Sequence, residues 1–208
     1  MVVVDETPGW QPHLLYMLAW AAFGWTHSRL SDGDVKRTIG TWTGLYYRIT
    51  YNVVAALQIG LVLGFGFWLF DVRTPFDRPG ALATVQLVSS MIGWAVFLLA
   101  LREYDLGRLL GVTQIREGEL PFDPVPHEPL HMRGFHAFIR HPLYAGAHLI
   151  LWGGVRDELG LAMAIWASLY LEIGTRFEER RLIALYGDAY RDYRDRVPAL
   201  IPWKGRVL

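Results

Sequence analysis

The chain contains no cysteine among its 208 residues. It therefore has no disulfide framework, no thiolate nucleophile and no metal or iron–sulfur site built on cysteine. It also lacks an excess of charge, because 20 basic and 20 acidic residues give a formal net charge of zero. That balance argues against nucleic acid as a partner. Neither a GxGxxG motif after a strand pattern nor a GxxxxGK[S/T] motif occurs, which argues against a soluble nucleotide-binding domain.

Several long stretches of the chain contain no Asp, Glu, Lys or Arg. Residues 49–70 and 79–101 are charge-free runs of 22 and 23 residues, and about 20 apolar residues are enough to cross the core of a bilayer as a helix. A third run, residues 12–28, has 17 residues and lacks the basic leader and cleavage site of a secretory signal peptide. Two shorter runs, 141–155 and 159–171, are separated by three charged residues, which suggests a tight helical hairpin.

These runs predict an all-α integral membrane bundle of about five transmembrane helices, folded as a single domain. The predicted spans lie near residues 12–29, 47–70, 80–101, 141–155 and 158–176, with a loop at 102–140 and a helical tail at 177–208. If the polar segments alternate between the two sides, seventeen of the twenty Lys and Arg residues fall on one side. Because basic residues concentrate in cytoplasmic segments, the loop, the tail and the C-terminus are predicted to be cytoplasmic.

The tail carries a regular aromatic pattern. Tyr186, Tyr190 and Tyr193 are spaced by four and three residues, which predicts one face of a helix. Gly187 is expected to interrupt that helix, and Pro198 is expected to end it.

Small residues recur within the second predicted span. Gly60 and Gly64 form a GxxxG pattern. Gly66 follows shortly after this pair. Because glycine lets two helix backbones approach closely in a membrane, these glycines predict close helix packing along the second span.

Charged residues at the edge of the last predicted span are candidates for function, because charge is costly in hydrocarbon. Glu172, Arg176 and Glu179 follow at i, i+4 and i+7, so they would line one face as the helix leaves the membrane. An ordinary ladder of ion pairs at a helix end is an equal alternative, worth about 0.2–0.5 kcal/mol per exposed pair.

The segment 139–144 is a second candidate. Pro142 suits the first turn of a helix, whose amide donors attract anions. Arg140 and His141 stand directly before it and would reinforce binding of a carboxylate or phosphate. The alternative is that Arg140 is a cytoplasmic flank and His141 is a helix cap.

Histidines raise the question of a metal or haem site, since imidazole is a common ligand of both. Five lie in or near the third loop: His127, His131, His136, His141 and His148. Pro129 separates the first two, so they are not a helical i, i+4 pair, and no acidic residue stands at metal-ligand spacing. The sequence therefore predicts no metal site.

Two ordered motifs about 35 residues apart carry a resemblance to a known family. The first is the stretch 133–146, RGFHAFIRHPLYAG, and the second is EERRL at 178–182, followed by YGDAY at 186–190 and by the Val-Pro and Ile-Pro pairs at 197–198 and 201–202. This pattern resembles the integral membrane methyltransferases, a superfamily that includes isoprenylcysteine carboxyl methyltransferase, phospholipid methyltransferases, methanethiol S-methyltransferase and the NnrU-like proteins. Residues 26–28 and 104–114 are more similar to the methanethiol and NnrU-like branch than to the isoprenylcysteine branch.

The resemblance implies that S-adenosylmethionine is the methyl donor and is bound by the C-terminal helices. Arg140, His141 and Tyr144 match the RHPxY cofactor motif of the family. Glu178 and Glu179 match its paired-glutamate motif, in which one carboxylate holds the amino group of the donor.

Further roles are also implied by the resemblance. Tyr190 and Arg194 fall where the tail of the family closes over the cofactor. Isoprenylcysteine enzymes carry a catalytic arginine four residues before the paired glutamates, where this chain has Gly174, and Arg176 is displaced by two positions. Arg176 is thus a substrate-side candidate that does not stand at the arginine position of the family, and Glu172 is a candidate from its place at the membrane edge alone.

The sequence thus predicts a membrane methyltransferase that transfers a methyl group to a small lipophilic or thiol acceptor. His27, near the cytoplasmic end of the first span, is a candidate for deprotonating the acceptor, with a packed or interfacial histidine as the alternative. The expected location is the plasma membrane of a prokaryote, with lipid as the surroundings; no oligomeric state follows from the sequence. A non-enzymatic NnrU-like accessory protein and a haem- or quinol-binding membrane subunit are the alternative functions.

Overall fold

The structure is a computed structural model that describes residues 9–70, 74–121 and 129–204. Helices are its regular elements, and these described ranges contain no β-strand. In chain order the α-helices are α1 (Trp10–Ser31), α2 (Gly33–Thr43), α3 (Tyr47–Leu69), α4 (Gly80–Leu101), α5 (Leu106–Leu110), α6 (Val112–Glu117), α7 (Pro142–Gly153), α8 (Glu158–Tyr186) and α9 (Asp188–Arg196). Short 3-10 turns at Gly44–Tyr46 and Gly134–Ala137 complete the set. The all-α prediction is confirmed.

A helix occupies each of the five predicted spans, but their apolar character differs. Within the described residues, two stretches are long and apolar enough to cross a membrane: Gly33–Leu69, which contains α2 and α3, and Gly80–Leu101, which is α4. Only 11% and 6% of their most apolar parts are buried inside the protein. Side chains such as Leu61 and Trp68 are more than 70% exposed. An apolar surface of this extent matches lipid better than water.

The lengths of the last helices differ from the prediction. Helix α7 has 12 residues and is about 18 Å long at 1.5 Å per residue, which is shorter than the hydrocarbon core of about 30 Å. Helix α8 has 29 residues and continues to Tyr186, ten residues beyond the predicted end of the span at 176. The predicted loop 102–140 contains α5, α6 and a 3-10 turn. Residues 122–128, including His127, lie outside the described residues.

The chain forms two compact units. The first unit is built mainly from α1, α2, α3 and the start of α8. Its core contains Tyr16, which is fully buried and meets the ring of Phe70 edge-on at 5.6 Å. A Cβ atom on Gly66 would lie 2.6 Å from Leu159 and 2.9 Å from the ring of Tyr16. Glycine at 66 therefore allows α3 to approach these side chains.

Among the described residues, the close packing predicted for the glycines of the second span is confirmed at Gly66 and is wrong at Gly60 and Gly64. A Cβ atom added at Gly60 or at Gly64 would meet nothing within 4 Å. Gly66, two positions later, makes the close contact instead, because the face of α3 that turns toward α1 is set by the aromatic side chains of the core.

The second unit contains α4, α7, the later part of α8 and α9. Helices α4 and α7 pack backbone to backbone through glycines. A Cβ atom on Gly153 would lie 2.6 Å from the carbonyl oxygen of Gln86 and 2.6 Å from the amide of Ser90. Gly93 and Gly146 are equally close to the facing helix. Small residues of this kind replace hydrophobic side-chain packing between helices that face lipid.

The aromatic face predicted in the tail is split between two helices. Gly187 adopts a positive φ of 59° and separates α8 from α9, as expected. Tyr190, Tyr193 and Val197 form a buried cluster. Tyr186, at the end of α8, packs against this cluster together with Leu130, Met132, Leu182 and Ile183. The chain leaves helical geometry at Val197, directly before Pro198, which confirms the predicted end.

Candidate active site

The start of α7 forms the centre of a polar cluster in the second unit. His141 is the residue immediately before Pro142, the first residue of α7, and only 5% of it is exposed. The backbone amides of Arg140 and His141 donate hydrogen bonds to the carbonyl oxygens of Pro198 and Ala199, at 2.9 and 3.0 Å. The segment that follows α9 therefore folds back and holds the start of α7 in place.

Helix α8 brings the two predicted glutamates to this position. Glu179 Oε1 lies 3.1 Å from His141 Nε2, and Glu178 Oε2 lies 3.6 Å from His141 Nδ1. The ring of Tyr144, one turn into α7, stacks on the ring of His141 with centroids 5.5 Å apart and an interplanar angle of 5°. Residues that stand 38 positions apart in the sequence thus meet at one imidazole.

The two glutamates have different surroundings. Glu179 accepts hydrogen bonds from Arg140 Nε at 2.8 Å and from Arg140 Nη2 at 2.6 Å, and its side chain is 15% exposed. The side chain of Glu178 is 46% exposed. The structure therefore binds the Glu179 carboxylate into the fold and leaves much of the Glu178 carboxylate accessible to a ligand.

The electrostatics favour two ionised carboxylates. Burial alone would raise the pKa of Glu179, but hydrogen bonds from His141 and Arg140 and the charge of Arg140 outweigh it, so the pKa lies below the ordinary value. Burial likewise opposes the shift at Glu178, where hydrogen bonds from His141 and Tyr144 lower the pKa. At neutral pH both carboxylates are therefore ionised. The charge of Glu179 is paired with Arg140, so the half-exposed carboxylate of Glu178 is the one available to a cationic group.

The tail residues of the predicted cofactor site lie in the same unit. Arg140 Nη1 donates to the backbone carbonyl of Arg194 at 3.0 Å and to that of Val197. Tyr190 is buried, and burial together with the charge of Glu179 raises the pKa of its hydroxyl to about 12. The hydroxyl of Tyr190 makes no hydrogen bond of regular geometry among the described residues, although the neighbouring Arg140 partly offsets the rise in its pKa. All seven predicted cofactor residues thus belong to one unit, with Arg140 as their structural link.

The predicted catalytic residues have other partners. His27 Nε2 lies 2.7 Å from the hydroxyl of Tyr51, in the first unit. Arg176 forms an exposed i, i+4 ion pair with Glu172 at 3.2 Å. The predicted ladder would also require an ion pair between Arg176 and Glu179. The Glu179 carboxylate is instead bound by Arg140. The roles of His27, Arg176 and Glu172 in catalysis stay predictions.

An apolar cavity lies in the second unit and was not predicted. Its volume is about 660 Å³, and most of its wall is hydrophobic. The lining residues include Ile92, Phe135, Phe138 and Leu149. Glu103 is the acidic residue in the wall. Because these residues come from four separate segments, no local sequence pattern could have shown the cavity.

The side chains of His136 and Tyr104 lie beside Glu103 of this wall. His136 Nε2 lies 3.4 Å from the hydroxyl of Tyr104. Burial, followed by the charges of Glu178 and Glu103, raises the pKa of Tyr104 to about 12. Both carboxylates therefore act electrostatically on the Tyr104 hydroxyl.

Comparison with known proteins supports the resemblance noted in the sequence. Methanethiol S-methyltransferase 1 of Bradyrhizobium diazoefficiens is 31% identical over 209 aligned positions, covering 93% of this chain and 68% of that protein. Methanethiol S-methyltransferase of Pseudomonas deceptionensis is 30% identical, over 96% of this chain and 77% of that protein. The chain belongs to the methanethiol S-methyltransferase family. It is thereby a member of the membrane methyltransferase superfamily.

The branch assignment also agrees with the sequence. Protein-S-isoprenylcysteine O-methyltransferase of Schizosaccharomyces pombe is 33% identical, but over 75 residues that cover 33% of this chain. The similarity to the methanethiol branch extends over nearly the whole chain. No protein-family model and no solved structure matches the chain.

Proposed function

We propose that this member of the family is a membrane-embedded methyltransferase that uses S-adenosylmethionine and acts on a small lipophilic or thiol acceptor. The observation that carries the proposal is the meeting of His141, Glu178 and Glu179 in one cluster. These are the residues of the two motifs that implied donor binding, and the contact of 3.1 Å between His141 and Glu179 joins the motifs in space. Family membership supports the same activity.

The residues present fit such a donor. Its amino group is cationic, and the accessible carboxylate of Glu178 provides a matching charge. The stacked rings of His141 and Tyr144 offer a flat aromatic surface, which suits an adenine ring or a cation. The buried hydroxyl of Tyr190 supplies a further polar group that makes no hydrogen bond of regular geometry in the described part of the chain.

When bound, S-adenosylmethionine supplies an electrophilic methyl group carried on a sulfonium sulfur. The task of the protein is then to orient that group toward the acceptor and to keep water out. Glu178 would fix the cationic end, and Glu179 with Arg140 would keep His141 in position. Correct placement of two reactants can contribute about 7–11 kcal/mol to lowering a barrier.

The apolar cavity is the proposed site for the acceptor. A wall of aliphatic and aromatic side chains selects a small hydrophobic molecule over a charged one, and Glu103 of this wall and Glu178 of the donor cluster both act on Tyr104. The relatives that the chain resembles are named for methanethiol, so a short-chain thiol is the first acceptor to be tested. The sequence-based role of His27 as a base is tested separately, by substitution.

Donor binding tests the proposal directly. Calorimetry in detergent should show that the full chain binds S-adenosylmethionine, and Glu178→Gln should weaken binding by about 10–100-fold, because hydrogen bonds to charged groups contribute about 1.5–3 kcal/mol. Asp188→Asn is the matched control, since Asp188 is an exposed acid of the same unit that pairs with Arg191. Absence of binding by the wild-type chain would overturn the proposal and favour the accessory-protein alternative. An absorbance spectrum of the purified protein without a Soret band would exclude the haem alternative.

Product analysis then identifies the acceptor. The chain in proteoliposomes would be supplied with the donor and, in turn, with methanethiol, longer thiols, a prenylated cysteine and phospholipids. With methanethiol, headspace gas chromatography should detect dimethyl sulfide. His27→Ala should lower kcat by about 100-fold or more, as expected for loss of a general base, with unchanged donor affinity; an unchanged kcat would remove His27 from the mechanism.

We also propose that all five predicted spans cross the membrane, with the non-helical residues on either side of α7 completing the fourth crossing, and that the C-terminus lies in the cytoplasm of a prokaryotic cell. The absence of native cysteine makes single-cysteine labelling unambiguous. Thr74→Cys should react with a membrane-impermeant maleimide added to intact cells, whereas Asp195→Cys should react only after lysis. Labelling of both residues from outside would contradict the topology.

A further inference from the structure

A cluster of metal-ligating side chains lies outside the proposed donor site. Glu103, His131 and His136 each bring one ligand atom into a group in which all atoms lie within 4.8 Å of one another. Glu103 Oε2 is 3.0 Å from His136 Nδ1 and 3.9 Å from His131 Nε2. We propose that these three residues bind a divalent first-row metal ion, with zinc as the first candidate.

The geometry suits zinc. Two ligands at about 2.1 Å from a tetrahedral zinc ion are about 3.4 Å apart, and the distances of 3.0 and 3.9 Å lie on either side of this value. His131 precedes the 3-10 turn in a non-helical segment, and its side chain is 53% exposed. It can therefore make the small adjustment that a common centre requires.

The ligands are supported by outer contacts. The amide of Phe135 donates to Glu103 Oε1 at 3.1 Å, which leaves Oε2 directed at the two imidazoles. The second nitrogen of His136 faces the hydroxyl of Tyr104 at 3.4 Å. Metal-bound histidines usually have such a partner on the other ring nitrogen, because it fixes the orientation of the ring.

Gly134 makes room for the carboxylate. A Cβ atom at this position would lie 1.9 Å from Glu103 Oε1, and the residue has a positive φ of 59°. The positive φ favours glycine here, and a side chain at this position would displace the carboxylate of Glu103. The start of the 3-10 turn is shaped around the carboxylate of Glu103, which comes from a separate segment.

Two histidines and one glutamate are the ligand set of a catalytic zinc site, which keeps a fourth position open. Glu103 also lines the apolar cavity, so the ion would stand beside the proposed acceptor site. This role, unlike the metal site itself, rests on the proposed function. Coordination breaks the S–H bond of a thiol and releases its proton to a base or to water. The sulfur then forms a bond to the methyl carbon while the bond from that carbon to the sulfonium sulfur breaks, with its electron pair left on the donor.

Metal binding is measured with the ion alone. The full chain, purified in detergent with a tag that contains no histidine, would be stripped with a chelator. It would then be titrated with Zn²⁺ against a chromophoric chelator, and with Co²⁺ by visible absorption. One equivalent of metal is expected. A wild-type chain that takes up no stoichiometric Zn²⁺ or Co²⁺ would overturn the proposal without reference to any variant.

Variants locate the ion. Loss of an outer hydrogen-bond partner weakens metal binding by about 10–100-fold, and Tyr104→Phe should lower Zn²⁺ affinity by a factor in this range. Glu103→Gln and His136→Ala each remove a ligand and should lower Zn²⁺ affinity by a larger factor. His13→Ala is the matched control, because His13 pairs with Glu158 at 2.8 Å in the other unit and should bind Zn²⁺ as the wild type does. Wild-type affinity in Glu103→Gln would place the ion elsewhere and refute the site.

Different experimental outcomes would refute the metal site and the proposed function. Chelation should abolish thiol methylation and leave donor affinity unchanged, whereas Glu178→Gln should weaken donor binding and leave the metal bound. A chain that binds Zn²⁺ through Glu103 yet binds no donor would keep the metal site and overturn the methyltransferase proposal. Full methylation activity after complete removal of the metal would overturn the role of the ion in the reaction.

Discussion

Arg140 and Glu179 are joined by two hydrogen bonds, of 2.8 and 2.6 Å, although 39 residues separate them in the sequence. The guanidinium also reaches the carbonyl oxygens at the end of α9. One side chain thereby connects the start of α7, the later part of α8 and the end of α9. The neighbouring Glu178 is outside this connection, so the two glutamates of one motif have separate tasks.

Replacement of the two glutamates should separate stability from ligand binding. Glu179→Gln removes the charge that Arg140 faces in a mostly buried position, and we expect a loss of about 3 kcal/mol in the free energy of unfolding. Glu178→Gln changes a half-exposed side chain, and its effect should stay within about 0.5 kcal/mol. Denaturant titration in detergent checks both values. Equal destabilisation by the two variants would contradict the division of tasks.

The same carboxylate predicts an acid-sensitive stability. Because the pKa of Glu179 in the folded chain is lowered from its ordinary value of 4.5, its contribution to stability is fully present at pH values above 4.5. The contribution is lost as pH falls through the lower folded pKa. Thermal unfolding between pH 7 and pH 3 should show the wild type and Glu179→Gln converging below pH 4.5. A constant difference down to pH 3 would refute the role of this carboxylate.

The close approach of α4 and α7 predicts a strict need for glycine at 153. Gly153→Ala places a methyl group 2.6 Å from backbone atoms of Gln86 and Ser90, which cannot move as a flexible side chain would. We expect a loss of about 1–3 kcal/mol in stability from this overpacking. Gly64→Ala, where a Cβ atom meets nothing within 4 Å, should instead be neutral or stabilising. Unfolding in detergent measures both, and a neutral Gly153→Ala would contradict the packing.

Two buried tyrosines should respond differently to loss of the hydroxyl. Tyr193 donates to the carbonyl oxygen of His136 at 2.7 Å, so Tyr193→Phe should destabilise the fold by about 1–3 kcal/mol, the cost of leaving a buried acceptor without its donor. Tyr190→Phe should leave stability unchanged, because the Tyr190 hydroxyl makes no hydrogen bond of regular geometry among the described residues. If that hydroxyl contacts the donor, as proposed, the same variant should weaken donor binding. Thermal melts and calorimetry on one set of samples test both effects.

The helical class, the positions of the main helices and the family follow from the amino-acid sequence alone. Charge-free runs of 22 and 23 residues have few alternatives to apolar helices, because a backbone without water must satisfy its hydrogen bonds within the segment. The breaks at Gly187 and before Pro198 were also predictable, since they depend on backbone conformation that these residue types favour locally. The two motifs identified His141, Glu178 and Glu179 as a group before their contact was seen.

Three features depend on the three-dimensional packing of the chain. They are the burial of Glu179, the close packing of particular glycines, and the contact of Glu103 with histidines of the third loop. Each of these depends on partners that are distant in the chain: Arg140 for Glu179, Gln86 and Ser90 for Gly153, and Glu103 for His136. Local spacing shows which side chains share a helix face. Local spacing does not show which other helix or turn contacts that face, because this contact is determined by the packing of the whole unit.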